Sequence, residues 1–388
     1  MDILSHVVIT FLISAILVGW IHPKIVQIAI LKNIVDKPDA RKLQRQPVPV
    51  LGGVAVFFGI VAGIGSMYDI VNTEVLMIVV LAMMAMLYTG TMDDILSLSP
   101  KLRFLIEIVV MLLLITYGGY SVNNFHGLWG IGRIPEWAAI ILTLFASIGI
   151  INAINLIDGV NGLSSGFCIL ACSLFGVLFL LSGNVSMTIL ATASAGALIP
   201  FFFHNVFGKT SRMFIGDGGT LVMGIVMSVF VISTLRTQSF PARYVHENIG
   251  LIPFTLAVLS VPVFDTLRVM FTRILKGNSP FEPDKTHLHH IFIQLGCSHI
   301  MTTLAILSLN LLIVLCWGGV VWLGGSIETQ LYVVLTLSLL VTPGLYILLK
   351  NSIIHRTRFF KLLRHVGYGL HISRTRWFIS IQNLVDKI

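Results

Sequence analysis

The chain has 388 residues, of which 56% are hydrophobic and only 11% charged, with a mean hydropathy of +0.93. Soluble domains carry roughly a quarter charged residues, so this composition excludes a water-facing globular domain and makes lipid the solvent of most of the chain. The net charge of +8 does not point to a nucleic-acid partner here, because in so apolar a chain Lys and Arg first report which side of a bilayer a loop faces.

Apolar runs long enough to cross about 30 Å of hydrocarbon fall at residues 3–21, 50–67, 73–92, 104–120, 136–154, 163–182, 186–204, 219–235, 249–271, 300–323 and 329–349. They predict an all-α polytopic integral membrane protein of about eleven transmembrane helices, with residues 1–350 as the bundle. The first run has no basic leader and reaches Trp20 without a small-residue cleavage site, so it reads as a retained helix. In the second run Gly59 and Gly63 have the G-x-x-x-G spacing of helix pairing, which would suit a homodimer. Cys168, Cys172, Cys297 and Cys316 lack metal-pair spacing, and neither a structural disulfide nor a zinc site is expected.

With eleven crossings the loops sort by charge. One set, which includes the tail, holds 22 of the 25 Lys and Arg residues, and the other holds only Arg133, Arg236 and Arg243. The positive-inside rule then places the N-terminus outside and the C-terminus in the cytoplasm. Nearly every Asp, His and Asn cluster falls on the basic side, so active-site loops are expected on the cytoplasmic face, around an anionic substrate. Residues 351–388 interleave cations with Phe, Ile and Trp, the pattern of a basic amphipathic tail lying against anionic membrane lipids.

Four polar clusters interrupt this apolar chain. Asp93-Asp94 ends the third run; such a pair serves a metal or bound cation, or caps the following turn. Arg103 and Glu107, four apart, can pair where the next helix begins. The run N-A-I-N-L-I-D-G-V-N-G concentrates Asn152, Asn155, Asp158 and Asn161; it suits a polar site or an Asn-Gly turn. In F-I-G-D-G-G-T, Asp217 either caps the next helix or offers a carboxylate to a hard cation. The loop P-F-E-P-D-K-T-H-L-H-H brings Asp284, His287, His289 and His290, which fit phosphate or sugar contact better than zinc.

The runs D-K-P-D-A-R-K (36–42) and P-V-P-V-L-G-G (47–53), the Asp93-Asp94 pair, N-L-I-D-G-V-N-G, G-D-G-G-T and H-L-H-H follow one another at spacings that resemble a single family. It is that of the bacterial undecaprenyl-phosphate N-acetylglucosamine-1-phosphate transferases, which initiate O-antigen and lipopolysaccharide, enterobacterial common antigen or wall teichoic acid synthesis. The resemblance implies a bacterial cytoplasmic-membrane enzyme. It would move N-acetylglucosamine-1-phosphate from UDP-N-acetylglucosamine to undecaprenyl phosphate and release UMP. It further implies Asp217 and Asn155 as ligands of Mg²⁺ (Mn²⁺ substituting), Arg103 on a phosphate, Asn161 reading uracil and Phe214 stacking on it. His287, His289, His290 and Asp284 would close over sugar and diphosphate, with Asp93, Asp94 and Asp158 as the polar floor.

The peptidoglycan branch, which transfers phospho-N-acetylmuramoyl-pentapeptide, usually has consecutive histidines and a second Asp where this chain has His287-Leu288-His289-His290 and Asn161. Another UDP-N-acetylhexosamine stays open within the branch. A transporter, whose polar groups should line both faces, and a scaffold with a basic tail are the readings from other classes.

Overall fold

The computed structural model describes residues 2–36, 47–279, 286–369 and 372–387. Asp284 and most of the D-K-P-D-A-R-K run lie outside them. The first eight apolar runs form α1 (Ile3–Leu31), α2 (Gly52–Gly65), α3 (Thr73–Leu96), α4 (Pro100–Gly118), α5 (Glu136–Leu156), α6 (Leu163–Ser182), α7 (Val185–Phe207) and α8 (Gly216–Leu235). Then come α9 (Leu251–Val258), α10 (Ser260–Leu275), the short α11 (Leu288–Gln294) and α12 (His299–Trp322). A π turn over Leu340–Gly344, containing Pro343, joins α13 (Ile327–Leu339) to α14 (Leu345–Ile354). The tail adds α15 (Arg358–Gly369) and α16 (Arg376–Val385). Between α1 and α2 a short antiparallel ribbon pairs β1 (Val35–Asp36) with β2 (Val48–Pro49).

The all-α, multi-pass expectation holds, but a simple count of eleven spans does not follow from it. Among the described residues eight helices are long and apolar enough to cross a membrane, with α13 to α14 counted as one, and the pair α9 and α10, bent by 74°, makes a ninth where it is counted as a single broken span. At 1.5 Å per residue α2, with 14 residues, covers only about 21 Å. The helix α4 carries Lys101, Arg103 and Glu107 in its first half. Large apolar side chains face outward around the bundle, Phe145 at 73% and Trp322 at 86% exposure, as a lipid-facing surface requires.

The bend between α9 and α10 has a local cause. Pro262 has no N–H to give the carbonyl of Val258, and a backbone group left open at this depth must find another partner. The buried Asn310 of α12 supplies it: Nδ2 donates to the Val258 carbonyl at 3.0 Å, and Oδ1 accepts from Val261 N at 3.0 Å and from Ser260 Oγ at 2.9 Å. One amide therefore closes both sides of the break.

At the centre stands α8, every residue of which except Asp217 is buried. It packs along α3 and α5 and against α2, and small residues set how closely. A Cβ on Gly90 would lie 2.4 Å from the Asp217 carbonyl carbon, so α3 and the start of α8 touch backbone to backbone. The Gly59–Gly63 pair is consumed the same way. Added Cβ atoms there would meet Val18 and Ser14 of α1 and Ala197 and Ala193 of α7. This spacing closes contacts within the chain and leaves the glycine pair no free face for a second copy.

Candidate active site

A cavity of about 1110 Å³ opens where one end of α1, α3, α5, α7, α8 and α12 converges. Of the residues expected from the sequence, Asp94, Asn155, Asp158, Asn161, Phe214, Asp217 and His290 line it. Asp93, Arg103, His287 and His289 stand behind this wall, and Asp284 lies outside the described residues.

The carboxylate floor is built by the contact of α3 with α8. Gly216, at φ +70°, turns the chain so that the Asp217 N–H points at α3, where Asp94 Oδ2 accepts it at 2.9 Å. The carboxylate thus caps the N-terminus of α8 from a neighbouring helix, where the helix dipole favours negative charge. Asp93 turns the other way. Its Oδ1 accepts from Leu98 N at 2.8 Å and its Oδ2 meets Arg103 Nη1 at 3.2 Å.

Arg103 also lies 3.7 Å from Asp217 Oδ2 and 3.5 Å from Glu107 Oε1, and it donates to Asn152 Oδ1 at 3.3 Å. The guanidinium expected to hold a phosphate is thus occupied in tying Asp93, Glu107 and Asp217 together. Asn155, the penultimate residue of α5, donates Nδ2 to Asp217 Oδ1 at 2.7 Å and to Thr220 Oγ1 at 2.8 Å. Asp158, three residues on, accepts the Ser164 hydroxyl. Burial pushes its carboxyl up to about 6; the Ser164 hydrogen bond opposes this, and the charge of Asp217 adds to it.

Three acids, Asp93, Glu107 and Asp217, thus share one guanidinium, and a fourth, Asp94, sits on the Asp217 N–H. Among the described residues no three His, Cys, Asp or Glu side chains form a ready-made metal cage. Mg²⁺ does not need one, since it is commonly held by one or two carboxylates together with waters and substrate phosphates. All-oxygen donors and an excess of negative charge fit that ion and do not fit zinc.

The three histidines separate. His287 Nδ1–H donates to Asp265 Oδ2 at 3.0 Å, and the same oxygen accepts Leu288 N at 3.1 Å. Arg268 holds the other oxygen of Asp265 at 2.7 Å, and its Nη2 also reaches the Thr286 carbonyl at 2.6 Å. Asp265 of α10 is thereby the anchor of the segment entering α11. His289 is buried against Gly159, and burial, with the neighbouring histidines adding to it, pushes its imidazole well below the ordinary value. Only His290 reaches the cavity.

Several lining or anchoring residues were not marked by the sequence reading. Asn205 accepts Gly162 N at 2.6 Å and donates to the Met213 carbonyl at 2.8 Å, bridging the 157–162 loop to the approach to α8. His299 Nδ1 accepts Asn161 N at 3.2 Å. Lys209 and Arg212 bring cations to the cavity, and Asp36 a further acid. Asp265 could have been found, because an ionisable residue inside an apolar run calls for an explanation. The tail was expected to lie on lipid, yet Ser373, Phe378 and Gln382 line the same cavity.

Comparison with known proteins agrees with this architecture. The family model for Glycosyl transferase family 4 matches residues 76–235, from α3 to the end of α8. A probable undecaprenyl-phosphate N-acetylglucosaminyl 1-phosphate transferase of Bacillus subtilis is 32% identical over 305 residues, covering 78% of this chain and 81% of the relative. An undecaprenyl-phosphate alpha-N-acetylglucosaminyl 1-phosphate transferase of Salmonella typhi is 27% identical over 302 residues, 76% of this chain and 77% of the relative. The chain therefore belongs to glycosyl transferase family 4, as a multi-pass membrane transferase of the polyprenyl-phosphate N-acetylhexosamine-1-phosphate type.

Proposed function

We propose that this transferase moves N-acetylglucosamine-1-phosphate from UDP-N-acetylglucosamine to undecaprenyl phosphate, releasing UMP, as the first membrane step of a cell-envelope polysaccharide. The observation that carries the reading is the convergence of seven sequence-marked residues, drawn from four separate segments of the chain, on one cavity. The names of the relatives supply the substrates.

In this reading Asn161 reads uracil and Phe214 stacks on it. Asp217 and the Asn155 amide oxygen hold Mg²⁺, which when bound neutralises charge on the diphosphate. An oxygen of the lipid phosphate attacks the sugar-linked phosphorus, and the bond to UMP breaks with its electron pair leaving on UMP. A phosphate monoester has a second pKa of about 6, so the nucleophile is already mostly a dianion near neutral pH and no base is required. Asp94, which caps α8, and Asp93, which holds Arg103, keep the floor in place; His290 contacts the sugar diphosphate.

The site works from the cytoplasmic face of the bacterial inner membrane, since the loops around the cavity carry the basic residues. The helix α15, with Arg358, Lys361 and Arg364, is the part of the tail that meets anionic lipid.

The test is UMP release by purified protein with Mg²⁺, a polyprenyl phosphate and a panel of UDP-sugars. Turnover is expected with UDP-N-acetylglucosamine and not with UDP-N-acetylmuramoyl-pentapeptide. Preference for the muramoyl substrate overturns the branch, and silence with every UDP-N-acetylhexosamine overturns the reaction.

A further inference from the structure

The turn between α7 and α8 is held from the far end of the chain. Asp386, the residue that ends α16, accepts the backbone N–H of Lys209 at 3.0 and 3.1 Å, of Thr210 at 3.1 Å and of Ser211 at 3.2 Å, and the Ser211 hydroxyl at 3.0 Å. Three successive N–H groups converging on one anion form a nest. An acid at a helix C-terminus opposes the helix dipole, so α16 alone gives no reason for a carboxylate at this position, whereas the nest does. Partial burial pushes the Asp386 carboxyl up, but these hydrogen bonds outweigh it and hold the group below its ordinary value, ionised throughout the neutral range.

The rest of α16 is fitted to the same place. Gln382 Nε2 donates to the Phe207 carbonyl at 3.0 Å, taking up one of the last acceptors of α7. Phe378 packs on Phe207 with ring centroids 4.9 Å apart. Beneath the turn, the Ser211 carbonyl accepts His22 Nε2–H at 2.9 Å and its hydroxyl oxygen accepts His204 Nδ1–H at 2.9 Å. The 209–211 backbone is therefore clamped from both sides, and Lys209, Thr210 and, one residue on, Arg212 line the cavity.

We propose that α16 is a wall of the substrate cavity and that Asp386 is a positioning residue, fixing the 209–211 turn so that Lys209 and Arg212 are presented to a phosphate-bearing substrate. The inference rests on the phosphosugar-transfer reading above. The phosphate belongs either to the diphosphate of the sugar nucleotide or to the lipid acceptor, and the experiment separates them.

In the full-length enzyme, UMP release is measured for Asp386→Ala, Asp386→Asn, Lys209→Ala and the double variant Asp386→Ala with Lys209→Ala, varying each substrate in turn. Asp386→Ala should raise the KM for one phosphate substrate about tenfold and change kcat by less than about twofold, as expected when binding alone is lost. Asp386→Asn, which keeps one acceptor oxygen, should recover about half of that loss on a logarithmic scale. Since both residues act through one turn, the double variant should cost little more than Lys209→Ala alone.

A KM effect confined to UDP-N-acetylglucosamine assigns the turn to the diphosphate, and one confined to the polyprenyl phosphate assigns it to the lipid. Unchanged KM for both, a fall in kcat alone, or additive losses in the double variant each overturn the proposal. Should Asp386→Ala fail to fold, Asp386→Asn against Lys209→Ala decides by the same criteria. A wild-type enzyme that releases no UMP sinks the transfer reading itself, and this one with it; wild-type turnover with an indifferent Asp386 sinks only this one.

Discussion

Asp217 meets three demands at once: its backbone N–H is capped by Asp94, its carboxylate faces both Asn155 and Arg103, and it opens onto the cavity. Replacing it by Asn keeps the size and the backbone contact with Asp94 but removes the charge. Turnover should fall at least about a hundredfold, since a charged group at a transferring phosphoryl centre contributes several kcal/mol, while thermal stability in detergent stays near that of wild type. Near-normal UMP release at saturating Mg²⁺ would contradict a metal-binding role for Asp217. Residues of this kind were legible in the sequence because Asp94, Asn155 and Asp217 are polar groups at the ends of apolar runs. The roles of Arg103 and the histidines were not. Whether a guanidinium meets substrate or four neighbouring polar groups, and whether His287 or His290 faces the cavity, depends on contacts with Asp265 and Asp217 that lie far away in sequence.

Among the elements, the bent pair α9 and α10 makes the sharpest contrast between pattern and structure. Hydropathy runs straight through 249–271, so a single span was expected, and Pro262 alone does not say whether a helix kinks or breaks. The break becomes intelligible only with Asn310, 48 positions later, which satisfies the groups it opens. Asn310→Leu should remove three hydrogen bonds and lower stability by about 2–3 kcal/mol, at roughly 1 kcal/mol each. It should also reduce turnover, because α10 carries Asp265 and through it His287. Melting in detergent and UMP release test the two parts; an unchanged melting temperature would show that the break does not depend on this amide. The tail teaches the same lesson. Amphipathicity told that α15 and α16 each have an apolar face, but whether that face meets lipid or protein is decided by the fit of Phe378 and Val385 against Val206, Phe207 and Ile300.

For the whole molecule, the sidedness of charge and the position of the cavity arise from different observations and agree. The count of Lys and Arg assigns the loops to two sides without reference to any structure, and the cavity draws its lining from the heavily basic set alone. The cytosolic nucleotide sugar proposed as substrate would need that end of the bundle inside the cell, and the positive-inside rule predicts the same orientation. Orientation can be measured without touching the site. Lys276 lies exposed after α10 on the cavity side, and Gln238 lies exposed in the loop after α8 on the other. The four native cysteines are buried or half-buried, so a single introduced cysteine can be read against a low background. In intact cells a membrane-impermeant maleimide should label Gln238→Cys and leave Lys276→Cys unlabelled until the membrane is opened. The reverse pattern would put the cavity outside the cell, away from its nucleotide sugar, and both the orientation and the proposed reaction would have to be abandoned together.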